Sequence, residues 1–169
     1  MHGPHSPSHG ASSRSTRRDF LARSGNLAAA TALAGVALPH VHAASDDTVR
    51  LALIGCGGRG SGAVANAMEV SGGPIRLVAM GDLFENRLAS AHKALSTHFG
   101  SRVDVPRDRQ FIGFDAFKMA IDQLRPHSGD IAMLTGYAGF RPAQLEYAVE
   151  RGVHVFMEKS FAADPPGVR

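Results

Sequence analysis

The sequence predicts an α/β fold built on a doubly wound parallel sheet, and three observations lead there. Short apolar runs alternate with helical segments from residue 48 onward. A glycine loop, Gly55-Cys56-Gly57-Gly58-Arg59-Gly60, follows the first run directly. An acidic residue, Asp82, follows the second run, 22 positions after Gly60.

The elements can be taken in order. Val49-Arg50-Leu51-Ala52-Leu53-Ile54 is short, apolar and bounded by glycine, the pattern of a strand buried on both faces. Ser61 to Val70 has helical spacing of Val64, Ala67 and Met68, and Ser71-Gly72-Gly73-Pro74 stops it. Ile75 to Met80 is the second strand. Phe84 to Phe99 is a helix with Leu88, Ala91 and Leu95 on one face. Phe111-Ile112 is a short third strand, and Asp115 is placed to cap a helix reaching about Leu124. Ile131 to Leu134 is the fourth strand. Arg141 to Arg151 is the next helix, with Pro142 in its first turn and Gly152 at its end. Val153 to Met157 is the fifth strand, with His154 read as a packed strand residue. Asp164-Pro165 has the form of a cap and the first residue of a further helix.

Strand and helix in alternation give parallel strands in one sheet with helices on both faces. A complete dinucleotide fold of this type has six strands. The folded part, 48–169, is therefore expected to be a Rossmann domain cut short before its sixth strand and before any C-terminal α/β domain.

Charge narrows the function classes. The net charge is +3. Four of the 18 basic residues and one of the 15 acidic ones lie in residues 1–43, so the remainder balances. No basic stripe is left for nucleic acid. Cys56 is the single cysteine, which excludes a disulfide scaffold and a cysteine-cluster metal site.

Residues 1–43 read as an export leader. The first 13 residues are rich in His, Ser, Pro and Gly, a composition expected to be disordered. Ser15-Thr16-Arg17-Arg18-Asp19-Phe20-Leu21 resembles the twin-arginine motif. Gly25 to Leu38 is an Ala- and Gly-rich apolar stretch. It falls short of the roughly 20 apolar residues that span a bilayer and has the length of a signal core. Val41-His42-Ala43 offers small residues for cleavage. The leader implies the twin-arginine export machinery as a partner, a periplasmic destination and no membrane span after cleavage. That route carries folded proteins, which suits a chain that must capture its cofactor first.

The glycine loop has a physical job at each position. Gly55 permits the tight turn out of the strand, Gly57 leaves room for a pyrophosphate against the backbone, and Gly60 lets helix and strand pack closely. The helix N-terminus then presents free amides and the positive end of its dipole to phosphate. Gly58 and Arg59 lie between, with Arg59 a candidate phosphate contact. Cys56 reads as a small residue filling space beside the dinucleotide. Asp82 stands where a carboxylate accepts from the adenosine ribose hydroxyls. Its charge repels a 2′-phosphate, so NAD is the expected cofactor and NADP the less favoured one. Arg87 weakens that preference.

The later strand ends supply the remaining candidates. Thr135 ends the fourth strand and is a candidate cofactor contact, with Tyr137 beside it. Glu158 and Lys159 end the fifth strand. Charged groups directly after a buried apolar strand are costly unless paired or functional. Glu158 is taken as cofactor-binding and Lys159 as catalytic, holding a substrate oxygen or donating a proton to it. No Ser/His/Asp arrangement and no metal-ligand spacing stands out.

These residues together resemble the N-terminal half of the Gfo/Idh/MocA oxidoreductases. The resemblance is carried by Leu53 to Gly60, Val78-Ala79-Met80-Gly81-Asp82, Phe140-Arg141-Pro142-Ala143 and His154-Val155-Phe156-Met157-Glu158-Lys159. It covers about Thr48 to Arg169, and the Glu158-Lys159 pair is its most specific part. It implies an exported NAD-dependent oxidoreductase acting on a sugar, polyol or related alcohol, with Lys159 at substrate and nicotinamide and Asp82 at the ribose. It also implies that further catalytic residues, and a homo-oligomer surface, lie in a C-terminal domain. Two positions depart from the family pattern: Ser160 replaces the proline after Glu-Lys, and Gly136 replaces the proline after Thr135. Two other readings stand beside this one: an NAD-dependent glycosidase of the same family, and an NAD-binding fragment without catalysis.

Overall fold

The structure is a computed structural model, and it describes residues 47–169. The twin-arginine segment and the rest of the leader lie outside the described residues. Five strands form one all-parallel sheet in the order β3-β2-β1-β4-β5. They are β1 (Val49–Ile54), β2 (Ile75–Asp82), β3 (Gln110–Ile112), β4 (Ile131–Leu134) and β5 (His154–Met157). The helices are α1 (Gly58–Met68), α2 (Glu85–Phe99), α3 (Ala116–Ile121), α4 (Arg141–Glu150) and the short α5 (Pro165–Val168). This is the expected doubly wound architecture, in the 3-2-1-4-5 portion of the six-strand order.

Alternation along the strands divides the core between the two faces. Leu51, Leu53 and Met133 point to one face and meet Val64 and Met68 of α1 and Leu88, Leu95 and Phe99 of α2. Ala52, Ile54, Ala132 and Leu134 point to the other, where Ala120 and Ile121 of α3 and Ala148 of α4 pack. Full burial of each leucine contributes about 2 kcal/mol. The second face is built from alanines at its centre, so its helices approach the sheet closely. Register slips once between β1 and β2: Leu51 pairs Leu77, but Ala52 pairs Ala79. Val78 is thus an extra residue on β2, and both it and Ala79 join the second cluster.

Some boundaries move from the sequence reading. Helix α1 starts at Gly58, so the last three positions of the glycine loop already belong to its first turn. Helix α3 ends at Ile121, short of Leu124. Asp115 occupies its N-cap position, but its carboxylate makes no capping bond and pairs instead with Lys118 at 2.9 Å. The expectation of a packed His154 is corrected: His154 is exposed. The reason is topological. β5 is an edge strand, with Val155 and Met157 against the second cluster while His154 and Phe156 on the opposite face are exposed.

Candidate functional site

The carboxyl ends of β1, β2, β3 and β4 open into a cleft of about 430 Å³, within the usual size of a small-molecule site. Ile54, Gly55 and Gly57 line it from the β1 side, Asp82 and Phe84 from β2, and Thr135 and Gly136 from β4.

The glycine loop is shaped by close approach. Gly55 has φ +93°, a left-handed conformation that disfavours side chains, and a Cβ there would lie 2.4 Å from Gly136 N. A Cβ on Gly60 would lie 2.2 Å from Gly55 O and 2.5 Å from Thr135 Oγ1. Gly57 and Gly58 differ, since a Cβ on either would meet nothing within 4 Å. Gly55 and Gly60 are therefore required by the protein's own packing, while Gly57 and Gly58 keep open the space in front of α1. Gly57 is the N-cap of α1, and no side chain caps that end. An open cradle before an uncapped eleven-residue helix suits a dinucleotide pyrophosphate.

Asp82 is 8% exposed at the end of β2. Its Oδ2 accepts from Cys56 N at 2.6 Å and its Oδ1 from Phe84 N at 2.8 Å. One carboxylate thus ties the glycine loop to the turn after β2, and it lines the cleft. Cys56 packs in the first core cluster with its Sγ 3.5 Å from Gly81 O. Burial, and then the charge of Asp82, push its thiol well above the ordinary range. It is a space-filling residue with no nucleophilic character at neutral pH.

Thr135 also lines the cleft, but its hydroxyl is directed to Gly55 O at 2.8 Å and Ile54 O at 3.1 Å. It braces the glycine loop from β4. Tyr137 is 72% exposed at the mouth. Arg87 is exposed, with its guanidinium 5.1 Å from the centre of the Phe84 ring.

The β5 end is arranged differently. Glu158 is buried, and its Oε1 accepts from Arg59 Nη2 at 2.6 Å. The hydrogen bond from Arg59 holds its carboxyl below the usual carboxylate range. Arg59 thus links α1 to β5. Lys159 is exposed, and neither it nor Glu158 is among the residues that line the cleft. Two predicted groups therefore form: Gly55, Gly57, Asp82 and Thr135 around the cleft, and Arg59 with Glu158 beside Lys159.

Arg141 is the residue that sequence reasoning passed over. It is 3% exposed, and it donates to Gly136 O and Glu158 O, each at 2.7 Å, and also to Ser160 O. It fastens the β4 end to the β5 end. Arginine is rarely this buried unless paired, and a sequence shows the arginine without showing three carbonyls converging on it. Among the described residues, no group of three His, Cys, Asp or Glu is placed to hold a metal ion, and no helix is long and apolar enough to cross a membrane.

A scan against protein-family models finds no match, and a search of curated proteins finds none. Solved structures do match. Myo-inositol 2-dehydrogenase from Lactobacillus plantarum is 25% identical with a TM-score of 0.52, over 72% of this chain and 31% of that one. Myo-inositol dehydrogenase from Lactobacillus casei, in complex with NAD(H) and myo-inositol, is 18% identical with a TM-score of 0.53, over 71% and 31%. The WlbA dehydrogenase from Bordetella pertussis, in complex with NADH and UDP-GlcNAcA, is 24% identical with a TM-score of 0.52, over 73% and 30%. The chain thus spans about a third of the length of these proteins. The likeness and the strand order agree: residues 47–169 have a Rossmann-type α/β fold.

Proposed function

We propose that the chain binds NAD and forms the dinucleotide-binding part of an exported oxidoreductase of the Gfo/Idh/MocA type, acting on a sugar, polyol or related alcohol. The observation that carries this reading is Asp82, a buried carboxylate held by two backbone amides at the edge of the cleft that the glycine loop opens. The similar dehydrogenases described with NAD(H) or NADH, and with a polyol or a sugar nucleotide, support the choice of cofactor and substrate class.

The residues divide the work. Gly57 and Gly58 leave the pyrophosphate room at the N-terminus of α1, and Arg59 adds a cation there. Asp82 orients the adenosine ribose by accepting from its hydroxyls, and its charge disfavours a 2′-phosphate. Thr135 keeps the loop in shape. When bound, the nicotinamide supplies the hydride donor or acceptor. Lys159, beyond β5, holds the substrate oxygen or its proton. Glu158 restrains Arg59 and, through it, the approach to that end.

Titrating the 169-residue chain with NAD and NADP in a calorimeter tests the reading. NAD is expected to bind more tightly than NADP, and a chain that takes up neither would end the proposal. Export is tested separately: replacing Arg17 and Arg18 by lysine should keep the protein out of the periplasm.

A further inference from the structure

The cleft continues outward from Asp82 to a corner that the glycine loop and the ribose contact do not use. Phe114 and Phe140 meet edge to face with ring centres 6.0 Å apart, and Tyr137 meets Phe140 in the same way at 6.1 Å. All three line the cleft, and Phe114 is 71% exposed. Gln144, one turn into α4, lines it too. Gln144 is only 8% exposed, and its Oε1 has no hydrogen-bond partner among the described residues. Of the other polar side chains in the cleft, Asp82 and Thr135 are held at the glycine loop, and Arg87 and Tyr137 are exposed to solvent. Of the two buried side-chain atoms without a hydrogen-bond partner among the described residues, Arg141 Nε and Gln144 Oε1, only the second belongs to the cleft lining, and such an acceptor in a cleft points to a ligand that donates to it.

We infer that this corner reads the amino edge of an adenine base. Gln144 Oε1 accepts from the exocyclic amine, and the Phe114, Tyr137 and Phe140 rings stack on the base. The inference rests on the proposed binding of NAD and specifies how its base is chosen. Geometry supports the assignment. With the ribose at Asp82 and the pyrophosphate at Gly57 and Gly58, the base must leave the ribose away from the loop, toward the turns after β3 and β4. Those turns carry the three rings, and the first turn of α4, which follows the second of them, carries Gln144. Stacking accepts any base, because every base has a π-face. A glutamine amide distinguishes bases, because it matches donors to acceptors.

The test compares NAD with its hypoxanthine analogue, in which a carbonyl oxygen replaces the amine and would face Gln144 Oε1. Calorimetry on the 169-residue chain should show NAD preferred by about tenfold. Gln144→Met, similar in volume and without the amide, should bring that ratio near one. Phe114→Ala should weaken both dinucleotides alike and leave the ratio intact. Equal affinities in the wild-type chain would overturn the inference without recourse to a variant, as would a ratio that survives Gln144→Met. If neither dinucleotide binds, the NAD reading falls and takes this one with it. If NAD binds without base preference, this one falls alone.

Discussion

Two aspartates are buried at opposite ends of the sheet, Asp130 just before β4 and Asp82 at the end of β2, and they are satisfied in different ways. Asp130 accepts four hydrogen bonds. Two come from the Arg125 guanidinium, at 2.8 and 3.1 Å, and two from the backbone amides of Arg125 and Arg50, at 2.9 and 3.1 Å. Its charge is neutralised and its lone pairs are filled. Asp82 accepts two, both from backbone amides, and no ion pair reaches it among the described residues. A carboxylate has roughly four acceptor sites, so Asp82 keeps capacity on the side of the cleft. A saturated, neutralised carboxylate holds a fold together. One that is positioned but half-filled is ready for a ligand's hydroxyls.

The largest expected effect lies at the structural pole. Asp130→Ala removes the buried carboxylate that the Arg125 guanidinium and the Arg125 and Arg50 amides share, and should cost about 3 kcal/mol of stability, read by urea denaturation. The affinity of the folded protein for NAD should not change. The pH dependence follows from the same bonds. Burial pushes the Asp130 carboxyl up, but the bonds from Arg125 and Arg50 outweigh it and hold the carboxyl below its ordinary range. A lowered folded value means that the contribution is fully present above the unfolded value of about 4 and is lost as pH falls through the folded one. The deficit of Asp130→Asn should therefore be constant from about pH 5 to 8 and shrink only in stronger acid. A deficit that varied across neutral pH would show that Asp130 is not the closed ion pair described.

At the ligand pole the order of effects reverses. Asp82→Ala should weaken NAD binding by about thirtyfold, the loss of charge-assisted bonds to two hydroxyls. It should also narrow the preference over NADP, because the charge that repels the 2′-phosphate is gone. Its stability cost should be smaller than that of Asp130→Ala, since only the Cys56 and Phe84 amides lose a partner. If Asp82→Ala unfolds the protein while leaving affinity intact, the two aspartates have the same role and the contrast is lost.

The sequence exposes these two poles unequally. Asp82 was legible because its job depends on local order: an apolar strand, a glycine loop, a second strand and an acid at a set distance. β1 and β4 were legible for the same reason, as apolar runs between glycine or polar stops. Asp130 gave no such signal, since its partners come from β1 and from the turn after α3, and nothing in the spacing joins them. Arg141 was opaque in the same way, because its three carbonyl acceptors belong to Gly136, Glu158 and Ser160. The exposed His154 was misjudged because strand propensity does not say whether a strand lies at an edge. Contacts that depend on topology become visible only when the topology is drawn.

Cys56 sharpens the contrast by sitting against Asp82. Its thiol is raised first by burial and only second by the Asp82 charge. Alkylation by iodoacetamide at about pH 8, where a free thiol of pKa about 8.5 reacts readily, should be slow in the folded protein and fast in urea. Asp82→Ala should change the folded rate only slightly, because burial is the larger cause. A large acceleration would mean that the variant opens the loop, and its lost affinity would then report disorder in the loop as well as the missing carboxylate.

The smallest effect is expected at a third carboxylate, which lies between the two aspartates in character. Glu158 is well covered and has a cation, as Asp130 does, but the Arg59 side chain that supplies it is 65% exposed. Solvent and salt reach one half of the pair, so its Coulomb energy is screened more than that of Asp130 and Arg125, whose side chains are 0% and 31% exposed. Arg59→Ala should therefore lower the melting temperature by about 2 °C or less, and added salt should erase the difference. NAD affinity should fall a few-fold, because the same guanidinium stands beside the pyrophosphate cradle. A salt-resistant loss of stability would place Glu158 with Asp130 as a structural charge. A salt-sensitive loss of affinity places it beside Asp82, as part of the apparatus that meets the ligand.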